Sequence, residues 1–242
     1  FEDLDAKEIR DGLQAACRIW SEQLAETHLV NDIAAGRVPR TVLLGWLLET
    51  YHYVKAFPHA LEVAAAAATG PLREVLARYA GEEHGHEAFV AESLVRAGFT
   101  RQEVETSIPL VSTRTIDLLM REMFRLFPAS ALLVAAVLEV EGSEPEGLAA
   151  FRRGVRDRYG VPEEALVPFH EHVAVDDRLG HARLLHEHVD LVTFPDGDAL
   201  HRVVNGLHDL KHAFDLQKLE IVDYYSRTGN YVPRQFVSFF AI

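Results

Sequence analysis

The spacing of apolar residues constrains this chain more than any other feature. They recur at helical intervals from end to end, and no segment shows the two-residue alternation of a half-buried strand. Proline and glycine punctuate that pattern into helices. Leu4 to Leu29 reads as the first, ended by the break at Gly36–Pro39. A second runs from Arg40 to Ala68, with Pro58 expected to kink or interrupt it. Thr69, Gly70 and Pro71 open a third that reaches Ala97. Thr100, with Glu103 three residues on, can form a capping box for a short helix. Further helices are expected over Ser112–Leu126, from Ser130 with a disturbance at Gly142 and Pro145 to Tyr159, over Pro162–Val192, and over Asp198–Arg227. No repeat or linker divides the chain, so the expectation is an all-α, single-domain bundle of about seven helices covering residues 1–242.

Charge and composition exclude several classes of function. A net charge of −13 without any Lys/Arg run argues against a nucleic-acid partner. The most apolar stretches are too short to span a bilayer, so no membrane partner is expected. A single cysteine, Cys17, suits a reducing compartment, and cytoplasmic localisation follows as the default. A small-molecule substrate is the expected partner, and a homodimer is compatible with the sequence.

The chemistry is concentrated in "GEEHGHEAF", Gly81 to Phe89, where three carboxylates and two imidazoles adjoin apolar residues. Glu83 and His86, three apart on a helix, reach one point, and a carboxylate with an imidazole is a common ligand pair for iron. Other helices add to this pair. Glu49 follows Trp46, Leu47 and Leu48. Glu141 closes the apolar run "ALLVAAVLEVEG". Asp177 and His181 share a helix face. Buried, unpaired carboxylates on such helices would be costly, whereas a divalent cation would neutralise them. The expected metal ligands are therefore Glu49, Glu83, His86, Glu141, Asp177 and His181, with Glu83 and Glu141 the candidate catalytic carboxylates. Alternatives remain open at three points: Glu139 for Glu141, Glu82 for Glu83, and Asp176 with His172 for Asp177. His52, one turn beyond Glu49, is a candidate ligand, outer-sphere group or substrate contact.

This order of ligands on an all-α chain resembles the heme-oxygenase-like di-iron oxidases and oxygenases, over roughly Arg40 to His188. The pattern Glu, Glu-x-x-His, Glu, Asp-x-x-x-His is similar to that of fatty-acid decarboxylases that form terminal alkenes. The resemblance implies a seven-helix heme-oxygenase-like fold, two ferrous ions, dioxygen as co-substrate, and oxidation of a small substrate such as an amino acid or fatty acid. The substrate pocket is then expected near Leu44, Leu48, Phe57 and Phe89. Many members carry His-x-x-x-Asp-x-x-His. Here His172 precedes Asp176 by four residues, but Leu179 stands three beyond it. Two other readings stand beside the oxidase. One is a metal-free relative, either a TenA-like hydrolase with Cys17 as nucleophile or a PqqC-like cofactorless oxidase. The other is a ferritin-like iron protein, whose ligand order differs. The stripe His201, His208 and His212 is expected to be wet surface.

Overall fold

The computed structural model describes residues 6–25, 28–139, 145–227 and 232. Every regular element among them is helical. In chain order the α-helices are α1 (Ala6–Ala25), α2 (His28–Ala35), α3 (Arg40–Ala67), α4 (Gly70–Glu83), α5 (Glu87–Arg96), α6 (Arg101–Glu105) and α7 (Val111–Leu126). They continue with α8 (Ser130–Leu138), α9 (Pro145–Tyr159), α10 (Val167–Leu179), α11 (Leu184–Glu187) and α12 (Gly197–Ser226). No helix among the described residues is long and apolar enough to cross a membrane.

α3 is the axis of the bundle and packs against α4, α5, α7 and α12. Its sequence explains that position, because buried residues occur all along its length, from Val42 to Ala65. Pro58 was expected to kink or interrupt this helix, yet α3 runs through it unbroken for 28 residues. Apolar burial on both sides of the proline, by Val54 and Phe57 before it and Ala60 and Leu61 after it, offsets the lost backbone hydrogen bond. The short helix α6 starts with the anticipated capping box, in which Thr100 Oγ1 accepts from the Glu103 amide and Glu103 Oε2 accepts from the Thr100 amide.

Two segments read as continuous helices are broken instead, and both breaks matter for the site. Pro71–Ala97 divides into α4 and α5 at Gly85, whose φ of +92° lies in the left-handed region. Pro162–Val192 divides at Gly180, where φ is +78° and the amide bonds back to the Asp176 and Asp177 carbonyls, ending α10 in a left-handed cap.

The core forms two clusters. One gathers Phe57, Tyr79, Met120, Phe124 and Leu132. The other gathers Leu43, Leu47, Tyr51, Leu94 and Tyr225. Tyr53 packs against both, so the middle of α3 marks the seam between them.

Candidate metal centre

The break at Gly85 decides which side chains face inward. α4 ends at Glu83, His84 takes an extended conformation (φ −62°, ψ 127°), and His86 is the N-cap residue of α5. Glu83 and His86 are buried, whereas His84 is exposed. A straight helix would also put Glu83 and His86 on one face, but the turn brings them in and sends His84 out.

α10 contributes its own inward pair. His172 and Asp176, four residues apart, share a helix face, and Asp176 is buried while Asp177, one residue on, is exposed. The left-handed cap at Gly180 then swings the chain so that His181 enters the core completely buried. From the opposite side α8, apolar all round, delivers Glu139 at its C-terminal end.

These side chains converge. Glu83, His86, His172 and Asp176 form one group whose ligand atoms lie within 4.8 Å of one another, and Glu83, Glu139 and His181 form a second. Glu83 belongs to both. Its Oε1 lies 2.8 Å from His181 Nδ1, and its Oε2 lies 3.4 Å from His86 Nδ1. Asp176 Oδ1 lies 3.1 Å from His86 Nδ1 and 3.5 Å from His181 Nδ1, and Asp176 Oδ2 lies 3.4 Å from His172 Nε2. Tyr79 donates a hydrogen bond of 2.9 Å to Glu139 Oε1. Glu82 Oε2 stands 3.3 Å from His181 Nε2, on the outer side of that ring.

Despite this crowding, six buried ligand-type atoms make no hydrogen bond: Glu83 Oε1, His86 Nδ1, His172 Nε2, Asp176 Oδ1 and both ring nitrogens of His181. Their separations are short, but their directions are wrong for N–H···O bonds, and orphaned buried polar atoms are costly. Lone pairs converging on a common centre suit a cation. Oxygen and imidazole donors without thiolate suit iron or manganese and disfavour a structural zinc or iron–sulfur site.

The electrostatics match a site built for positive charge. Burial opposes the charged form of His86, but contact with Asp176 and Glu83 outweighs it and lifts the imidazole to about 9. His181 rises to about 10 by the same balance. Burial likewise opposes ionisation of Asp176, yet His181 and His86 hold it down to about 2. Glu139 behaves oppositely. Burial, then the nearby charges of Glu83 and Asp176, push it up to about 8. Burial, then the charges of Glu139 and Glu83, keep Tyr53 and Tyr79 as neutral phenols. Without a cation, protons must neutralise the acidic groups.

Two of the expected ligands, Glu49 and Asp177, lie outside both groups. Glu49 is buried. Its Oε2 accepts from the Leu110 amide at 2.9 Å and Thr113 Oγ1 at 2.6 Å, and its Oε1 accepts from the Tyr225 hydroxyl at 2.7 Å. Leu110 caps α7 and Thr113 lies in its first turn, so Glu49 supplies a negative charge at that helix's N-terminus. Gly45, one turn earlier on α3, leaves room for the Tyr225 ring, which an added Cβ would overlap. His52 likewise bonds elsewhere, with its Nε2 2.9 Å from Ser107 Oγ. Asp177 faces outward because the face of α10 that turns inward is set by His172 and Asp176. Glu141 lies outside the described residues; its alternate Glu139 belongs to the second group. The alternates His172, Asp176 and Glu139 thus join Glu83, His86 and His181.

The pocket walls divide similarly. Phe89 stands 6.2 Å from the rings of both His86 and His172, and Phe57 packs 5.8 Å from Tyr79. Leu44 and Leu48 lie in the other core cluster, with Tyr225. Tyr53 and Tyr79 carry no motif, so nothing in the sequence marks them as neighbours of the centre. The stripe His201, His208 and His212 is exposed, as expected.

Residues 44–208 match the family described as "iron-containing redox enzyme". Among solved structures, a domain of unknown function with a heme oxygenase-like fold from Shewanella denitrificans OS217 is similar at 17% identity and a TM-score of 0.69, covering 92% of this chain and 94% of that one. A TenA homologue from P. horikoshii OT3 aligns at 15% identity and a TM-score of 0.58, over 87% of this chain and 98% of the other. A TenA homologue from Pseudomonas syringae pv. tomato DC3000 gives 13% and 0.61, over 90% and 94%. No curated protein matches. These likenesses establish a heme-oxygenase-like all-α fold.

Proposed function

Because the chain belongs to the iron-containing redox enzyme family, we propose that it is a non-heme di-iron oxidase or oxygenase that uses dioxygen to oxidise a small substrate. The observation that carries this reading is the set of buried, unbonded ligand atoms on Glu83, His86, His172, Asp176 and His181, five residues distributed over two groups that share Glu83. One group would hold each ion, with Glu83 as the carboxylate common to both. When bound there, a ferrous pair would supply the electrons for dioxygen reduction, chemistry that no side chain here can perform alone.

The residues of the chain do the rest. Glu83 turns one oxygen toward His86 and the other toward His181 and so keeps the two halves at a fixed spacing. Tyr79 donates to Glu139 and orients that carboxylate toward Glu83 and His181. Glu82, against His181 Nε2, holds the ring with Nδ1 facing inward. Phe57, Phe89 and Tyr79 surround the centre with aromatic surface that limits access by water. Tyr53, held as a neutral phenol beside the acidic cluster, is available to donate a hydrogen bond to a bound group. An amino acid or fatty acid, oxidised at nitrogen or cleaved at a C–C bond, is the substrate class supported by the family resemblance.

A TenA-like, metal-free hydrolase would draw on Cys17, but that residue is 1% exposed, and burial pushes its thiol up to about 12. No thiolate is available there at neutral pH. Anaerobic loading with ferrous iron separates the readings. The oxidase should bind about two irons per chain and show an optical change on exposure to oxygen. No binding would refute the proposal, and a large mineral load would indicate storage. Screening amino and fatty acids for substrate-triggered oxygen consumption tests the substrate class.

A further inference from the structure

We propose that His59, Glu62 and His84 form a second, solvent-facing site for a borderline divalent transition-metal ion such as Zn2+, separate from the buried centre. The three residues come from two elements. His59 and Glu62 lie one turn apart on α3, just beyond Pro58, and His84 is the residue that the Gly85 turn sends outward at the end of α4. Glu62 joins the other two, with Oε2 3.1 Å from His59 Nδ1 and Oε1 2.8 Å from His84 Nε2. The imidazole rings meet edge to face, with centroids 5.5 Å apart. One ligand atom from each residue fits within a 4.8 Å circle.

Donor chemistry favours a metal over a simple ion-pair cluster, and the spacing is within reach of one. Ligands bonded to zinc at about 2.0–2.2 Å stand roughly 3.3 Å apart when tetrahedral. The His–Glu separations, 3.1 and 2.8 Å, are those of hydrogen bonds and a few tenths of an ångström shorter than that, so side-chain rotations that open both contacts would bring the three ligands around one ion. Two imidazoles and a carboxylate select zinc, copper or nickel over magnesium or calcium, which prefer oxygen alone. The side chains are about half exposed, at 52%, 51% and 46% for His59, Glu62 and His84. Little desolvation therefore opposes binding, and water can complete the coordination. Hydrogen bonds from His59 and His84 hold the Glu62 carboxyl below the usual carboxylate range, in the ionised form a cation needs. The same exposure predicts weaker binding than at the buried centre. An ion here would tie α3 to the turn whose neighbours, Glu83 and His86, face inward.

The test titrates the chelator-stripped full chain with Zn2+ by calorimetry, comparing wild type, His59→Gln/His84→Gln, Glu62→Gln and Glu83→Ala. Wild type should show a tight class at the buried centre and a weaker class of one ion. Loss of the surface ligands should weaken the second class by at least the roughly 10–100-fold seen when even an outer-sphere partner is removed. Glu83→Ala should retain it, with the His59 and His84 ring resonances shifting as Zn2+ is added. Absence of a weaker class in wild type would overturn the proposal. So would its persistence at wild-type affinity in both surface variants with native helicity. Neither outcome bears on the di-iron reading, which concerns other residues.

Discussion

Replacing Glu49 with alanine distinguishes a carboxylate that builds the fold from one that binds metal. The side chain is fully buried and accepts three hydrogen bonds, at 2.6, 2.7 and 2.9 Å, from Thr113, Tyr225 and the Leu110 amide. Each bond to a charged group is worth about 1.5–3 kcal/mol, and truncation leaves all three donors without this acceptor. Gln217 donates to Thr113 Oγ1 at 2.8 Å and gives no compensating acceptor. Water entering the vacated space would recover part of the sum, so the expected net loss is about 3–5 kcal/mol, as for a broken buried ionic network. In a chain of this size that lowers Tm by roughly 6–20 °C. Glu49→Gln keeps one acceptor oxygen and should lose about half as much. The assay is thermal unfolding followed by circular dichroism, alongside iron content after anaerobic loading. Lower Tm with unchanged iron stoichiometry at low temperature is the expected result. A Glu49→Ala protein with wild-type Tm that fails to bind iron would refute the structural role and make Glu49 a ligand.

Glu83→Ala or His181→Ala should abolish iron-dependent oxygen consumption while leaving helicity nearly intact; a wild-type rate in either would defeat the assignment of the centre. Gly85→Ala should cost about 1–3 kcal/mol from backbone torsion alone, since φ is +92° and nothing within 4 Å crowds an added Cβ. Iron occupancy should fall with it, because the same turn aims Glu83 and His86. His170, buried and receiving a 2.9 Å hydrogen bond from Arg152, is lowered to about 4 by burial and then by the Arg152 charge. Its folded value lies below the ordinary 6.5, so the unfolded chain binds the proton first. Stability should fall as pH drops from about 6.5 to 4, by up to about 3 kcal/mol from this group. His170→Phe should flatten that part of the pH–stability curve, and an unchanged slope by urea titration would contradict the account.

The helices were legible because their signal is local: apolar spacing and capping residues such as Thr100 and Glu103 act within a turn or two. Breaks at Gly85 and Gly180 were harder to read, because a glycine inside a helical pattern is often tolerated. Whether it takes a positive φ depends on what the flanking side chains gain. Glu83, His86 and His181 stood out as candidate ligands because they combine suitable chemistry with apolar neighbours, and the structure brings them together. Glu49 fits the same description, and its burial was anticipated correctly. What occupies its oxygens was not, because Tyr225 lies 176 residues away in the chain.

Sequence alone determined that this chain forms helices, that acids and imidazoles lie on apolar ones, and that its charge repels polyanions. These properties are set by composition and short-range periodicity. Tertiary structure decided between Asp176 and Asp177 and the destination of Glu49. A helix rotates by about 100° per residue, so adjacent acids face different surroundings, and only the packing of α10 on α5 selects which one turns inward.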